Sequence, residues 1–237
     1  MTVLFYAILF LAFTIQSLTG FGGPLIAMPL SIPAVGVELA KPVITLCAWG
    51  SAAVIAWKNR GDIVWRELFK MSGTMLLFMA AGLWLFRNVQ MQFLQAIYGV
   101  AVMCIGLKKL FMPSEKAMPR WMVVLSICLA GVMQGLFVSG GSFLVIYAVD
   151  AIPEKQRFRA TLSGVWAFVN IFLLISYIAD GSFTHNAVVT SGFALIPLAA
   201  AVVCGSLLAG RLNQKAFLKA AYILLAVSGA VLLLTTL

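Results

Sequence analysis

The chain has 237 residues, of which 63% are apolar and only 10% charged, with a formal net charge of +9. A soluble domain carries roughly 25% charged residues, and no soluble fold of this length could hide so much apolar surface, so the chain belongs in a bilayer. The surplus of cations points to loops held on the cytoplasmic side rather than to nucleic acid. A soluble domain has no room here, since the longest polar stretches are short loops.

The N-terminal segment Met1-Thr2-Val3-Leu4-Phe5 has neither a basic region nor a small-residue cleavage site and is expected to stay in the mature protein. Eight apolar stretches follow. Those at about 42–57, 68–86, 91–107, 160–178, 187–208 and 220–237 are each near the roughly 20 residues that span the hydrocarbon. The other two, about 3–35 and 121–149, are longer and interrupted by glycines, with arms of about 11–16 residues, or roughly 16–24 Å each.

The two interruptions are copies of one segment. Gln16-Ser17-Leu18-Thr19-Gly20-Phe21-Gly22-Gly23 returns 118 residues later as Gln134-Gly135-Leu136-Phe137-Val138-Ser139-Gly140-Gly141, with Gln, Leu and both terminal glycines identical. Gly-interrupted apolar segments at matching positions of two halves are the sequence mark of a transporter binding site. The basic residues set the topology. If each broken stretch enters and returns on one side, fourteen of the sixteen lie together and only Lys41 and Arg87 oppose them. Single crossings would divide them evenly, against the positive-inside rule. Each half is then a broken hairpin plus three spans, an odd number of crossings, and the second half is inverted. The expected fold is an all-α polytopic membrane protein of two inverted repeats, residues 1–112 and 121–237, joined by a cytoplasmic linker at 113–120, with both termini outside.

Chemistry concentrates at the breaks. Irregular backbone in hydrocarbon must be buried or line a cavity, and amides at the start of a half-helix direct partial positive charge at an anion. Gly22, Gly23, Gly140 and Gly141 are therefore expected to present backbone N–H groups to an anionic substrate. Pro24 suits the first turn of the new helix, and Ser142 takes its place in the second copy, as a cap or a ligand contact. Gln16 and Gln134 can donate to an oxyanion or tie down the broken backbone, with hydroxyls from Thr19, Ser139 and Ser142. Lys41 and Arg159, also 118 apart, begin the first full span of each half and serve as entrance or gating cations or as headgroup anchors. Arg159 has the bidentate geometry for an oxyanion.

Other features read as structure. The stripes Gly131, Gly135, Ser139 and Ala201, Gly205, Ala209 permit close helix packing. Cys47, Cys104, Cys128 and Cys204 lie in apolar segments with no CxxC spacing and are expected to be buried and inert. Trp57, Trp65, Trp84 and Trp121 fit interfacial anchors, while Trp49 and Trp166 sit deeper. His185 is the single histidine and no acid lies well inside an apolar segment. No metal or other cofactor is implied, a membrane enzyme is disfavoured, and a carboxylate-free site suits an anion better than a cation.

The paired segments QSLTGFGGPLIAMP and QGLFVSGGSFLVIY resemble the sulfite exporter (TauE/SafE) family of bacterial permeases. That family's pattern is roughly G-x-G-G-G-x-x-x-x-P in each half. The first copy keeps Gly20, Gly22, Gly23 and Pro29 and has Pro24 at the third glycine of the run. The second keeps Gly140 and Gly141, with Val138, Ser142 and Tyr147 elsewhere in the pattern. FRATLSGVW at 158–166 is similar to the stretch after the second motif in such proteins. The resemblance implies a multi-pass permease of the bacterial inner membrane moving small sulfur-containing anions, such as sulfite or sulfonates, with lipid around it. The coupling ion, proton or sodium, and homo-oligomer formation stay open. A channel-like anion pore and a non-transporting scaffold subunit are the competing readings.

Overall fold

The computed structural model describes residues 2–88, 120–138 and 140–213, with scattered positions between 100 and 111 and between 215 and 234. The expected spans at about 91–107 and 220–237, the linker at 113–120 and Ser139 fall wholly or largely outside them. The described chain is helical: α1 Thr2–Thr19, α2 Gly23–Val35, α3 Val37–Lys58, a 3₁₀ turn Arg60–Asp62, α4 Trp65–Asn88, α5 Arg120–Phe137, α6 Gly141–Ala151, α7 Lys155–Ala179 and α8 His185–Arg211. The segments Val37–Lys58, Trp65–Leu85, Lys155–Ala179 and His185–Arg211 are each long and apolar enough to cross a membrane. Rows of exposed apolar side chains, such as Val188, Phe193, Ile196, Val203 and Leu207 on α8, would be an aggregation surface in water and are the ordinary outer face of a protein in lipid. The chain is an all-α polytopic membrane protein.

The helices break where the glycines predict. α1 stops at Thr19 and α2 starts at Gly23; α5 stops at Phe137 and α6 starts at Gly141. The arms are less equal than the sequence suggests. α1 and α5 have 18 residues each, about 27 Å, whereas α2 has 13 and α6 has 11, about 20 Å and 16 Å. The first arms are longer than expected because helix continues up to the break itself. The boundaries also repeat. Thr2, Gly23 and Val37 open α1, α2 and α3, and Arg120, Gly141 and Lys155 open α5, α6 and α7, each 118 positions later. α3 and α7 begin about a turn before the expected 42 and 160, so Lys41 and Arg159 lie in the second turn of their helices rather than at the end.

Two compact units form, one of Met1–Ser72 with Gln156–Arg211 and the other of Gly73–Lys155 with Leu212–Leu237. Each therefore takes helices from both halves of the chain. In the first, α1 packs most extensively against α8 and then against α2 and α3, around Phe5, Leu9, Phe13, Ile44, Ala48, Leu198 and Ala201. Gly205 of α8 makes the α1 contact close, since a methyl there would strike the Thr14 carbonyl and come 2.6 Å from Ser17 Cβ. In the second unit, α4 and α5 cross as tightly: a methyl on Gly82 would strike the Val132 carbonyl, and one on Gly135 the Met79 carbonyl. Thr14 and Val132 are themselves 118 residues apart, so equivalent carbonyls meet a glycine of a helix from the opposite half, Gly205 of α8 and Gly82 of α4. Gly131, Gly135 and Gly205 thus do what their spacing predicts, bringing helix backbones together.

Trp57, Trp65, Trp84 and Trp121 are exposed while Trp166 is buried, as their positions along the segments suggest. The cysteines are a correction. Cys47 is buried and Cys128 half-buried, but Cys104 and Cys204 are exposed, because an apolar helix turns part of its surface outward and a small apolar thiol is at home on that face too.

Candidate functional site

The first break is built by its own residues. Gly20 and Gly22 take φ of +87° and +90°, the left-handed region that residues with a Cβ rarely enter. The chain thereby reverses in three residues and lays α2 beside α1. The last bond of α1 runs from Gly20 N–H to the Gln16 carbonyl at 2.7 Å. Thr19 supplies the rest of the closure. Its hydroxyl lies 2.8 Å from both the Ile15 and Phe21 carbonyls, donating to one at a time, and accepts from Phe21 N–H at 3.4 Å. The Thr19 hydroxyl is thus engaged within the turn.

Gln16 is buried and braced from outside the hairpin. Its Nε2 donates to Ser51 Oγ at 2.8 Å and to the Ala48 carbonyl at 3.3 Å, and Ser51 Oγ donates onward to the same carbonyl at 3.1 Å. The carbonyl end of the amide faces α2: a methyl on Gly23 would strike Gln16 Oε1. Gly23 is required here by the closeness of Gln16 rather than by its own backbone angles. Gly22 caps α2 with no side-chain hydrogen bond, Pro24 occupies the first turn, and the first helical bond is Ile26 N–H to the Gly22 carbonyl at 3.2 Å. α2 therefore starts behind the glycines with uncapped amides and inside protein, since Gly22 and Gly23 are both buried.

The second break uses the same parts differently. Gln134 Oε1 accepts from Gly140 N–H at 3.1 Å, so this glutamine ties down the broken backbone. Val138 holds φ +56°, the left-handed position that Gly20 holds 118 residues earlier, and a β-branched residue there stores about 1–3 kcal/mol. α6 begins after Gly140 with no side-chain cap. Ser142, in its first turn, does not cap it: Ser142 Oγ is fully buried and has no hydrogen-bond partner among the described residues. A buried hydroxyl left so is costly, about 1–3 kcal/mol.

The two predicted cations differ in placement. Lys41 is half-buried in the second turn of α3. Arg159 reaches the first break. Its Nε donates to the Ser17 carbonyl at 2.6 Å and its Nη2 to Ser206 Oγ on α8 at 2.8 Å. A methyl on Gly20 would come 3.1 Å from Arg159 Cα. The structure thus assembles Gln16, Thr19, Gly22, Gly23 and Arg159 around the first break, and Gln134, Gly140, Gly141 and Ser142 around the second. Sequence reasoning missed Ser51 and Ser206, the partners that fix Gln16 and Arg159. Two ordinary serines in apolar helices carry no signal of their own. Trp166 is buried with no hydrogen-bond partner for its indole N–H among the described residues.

Buried glutamines, broken helices and uncapped amides inside a polytopic membrane protein define a class, the transport proteins that handle a polar solute within the bilayer. The sequence profile of the sulfite exporter TauE/SafE family matches residues 5–232, nearly the whole chain. The chain belongs to that family, a family of membrane transporters rather than enzymes. It matches no curated protein and no solved structure.

Proposed function

We propose that this protein is a secondary transporter for a small sulfur oxyanion, sulfite or an organosulfonate, across the bacterial inner membrane by alternating access. One observation carries the reading. Two short helices, α2 and α6, begin in apolar surroundings behind glycine pairs, and neither has a side-chain cap. Their first turns offer N–H donors and the positive end of a helix dipole, which suit a group with several negatively charged oxygens. Ser142 Oγ adds a buried donor without another partner among the described residues. The amides of Gly22, Gly23 and Gly141 are the proposed anion-binding elements; Gly140 N–H, also expected from the sequence to meet the anion, is held by Gln134 Oε1. Gln16, Thr19 and Gln134 shape the turns that hold them, and Lys41 is an entrance cation. The proposed insertion of the two halves in opposite senses rests on the basic residues and on the 118-residue repeat of helix starts.

The test is thermal stability of the purified protein in detergent against sulfite, sulfate, sulfoacetate, taurine, acetate, phosphate and chloride. An anion present at 100 times its dissociation constant adds about 2.7 kcal/mol. A selective rise with sulfite or a sulfonate is expected. Ser142→Ala should raise the anion-free melting temperature, because it removes a buried hydroxyl that has no partner among the described residues, while weakening the anion by roughly 10-fold or more, as expected for a hydrogen bond to a charge. No shift with any of the anions in folded protein would refute the proposal.

A further inference from the structure

Arg159 is the one arginine that the sequence suggests for gripping substrate, yet its bonds in this structure run to the protein. The carbonyl of Ser17 belongs to the last turn of α1, and in an unbroken helix it would accept from the N–H of Phe21, four residues on. The break removes that partner, because Phe21 N–H turns to Thr19 Oγ1. Carbonyls at a helix end need substitutes, and a cation is the favoured one because it also meets the negative end of the dipole. Arg159 Nε supplies it at 2.6 Å. The same guanidinium bonds Ser206, next to Gly205, which lets α8 close on α1 at Thr14 and Ser17. The left-handed Gly20 admits the backbone of α7 at Arg159 itself. One side chain thus joins the end of α1 to α7 and α8 just before the uncapped start of α2.

We propose that Arg159 is a positioning residue: it replaces the helix bond lost at Ser17, holds the first break against α7 and α8, and through that backbone sets the amides of α2, without itself being a ligand of the transported anion. Ser206 is its working partner. The two roles differ in sign for Ser206→Ala. Were Arg159 the anion's ligand, removing a competing acceptor would leave anion affinity unchanged or raise it. For a positioning residue, the same change loosens the break and lowers affinity.

The test has two arms, and only the second rests on the anion reading. Hydrogen exchange of the full-length protein in detergent is compared for wild type, Ser206→Ala, Arg159→Lys and Arg159→Gln. Residues 16–23 are expected to exchange roughly 10-fold faster in Ser206→Ala and roughly 100-fold faster in Arg159→Gln, with Arg159→Lys between. Sulfite-dependent stabilisation is then titrated for wild type and Ser206→Ala, a mild change in case the arginine variants fail to fold. A several-fold weaker sulfite dissociation constant in Ser206→Ala is expected. Unchanged exchange at 16–23 in Ser206→Ala, or sulfite binding as tight as or tighter than wild type, would overturn the proposal. If wild-type protein binds no anion, the proposed function fails and the exchange arm alone decides the role of Arg159.

Discussion

Gly23→Ala tests the construction of the first break most directly. The added methyl would collide with Gln16 Oε1 and sit 3.0 Å from Gln16 Cβ and 3.1 Å from its Cδ. A flexible glutamine would ordinarily swing aside. Here it is buried, with Nε2 fixed by Ser51 Oγ at 2.8 Å and the Ala48 carbonyl at 3.3 Å. Relief of the clash therefore means breaking those bonds and leaving buried polar groups unpaired, about 1–3 kcal/mol. Keeping them means overpacking, again about 1–3 kcal/mol. The alanine recovers about 0.5–1 kcal/mol of backbone entropy at this helical position. The net expectation is a loss of about 1 kcal/mol, read by denaturant unfolding in mixed micelles. The decisive step is a double-mutant cycle with Gln16→Ala. Once the side chain is truncated, only the recovered entropy remains and Gly23→Ala should stabilise by about 0.5–1 kcal/mol, giving a coupling of about 2 kcal/mol. A Gly23→Ala protein as stable as wild type, or an equal loss in both backgrounds, would show that Gln16 does not dictate this glycine. Gly192, exposed on α8 with open space around it, is the control, and Gly192→Ala should not destabilise.

Further outcomes follow from the same geometry. Gly205→Ala and Gly82→Ala each drive a methyl into a helix carbonyl, of Thr14 and Val132 respectively. Both should lose about 1–3 kcal/mol, and a near-neutral result for either in the same unfolding assay would dissolve the parallel between the two crossings. Thr19→Val keeps shape but removes the hydroxyl that meets Phe21 N–H and two carbonyls. It should cost about 1–2 kcal/mol and raise exchange at 19–23; unaltered exchange would count against the Thr19 closure.

Much of this protein is decided along the chain. Glycine pairs end helices wherever they fall, and a 20-residue apolar run is a helix in lipid because backbone groups there have no other partner. The breaks at 20–22 and 138–140 could thus be read from residues a few positions apart, as could the deep placement of Trp166, and the 118-residue repeat from the two halves set side by side. The tertiary structure alone decided what holds the breaks. Gln16 meets Ser51 across 35 positions and Arg159 meets Ser17 across 142, and no local pattern singles out those serines. It also separated the polar groups, binding Gln134 to the backbone at Gly140 while leaving Ser142 Oγ without a partner among the described residues. The same amide or hydroxyl can brace a turn or meet a ligand, and only the neighbours that three-dimensional packing brings within 3 Å choose between the two.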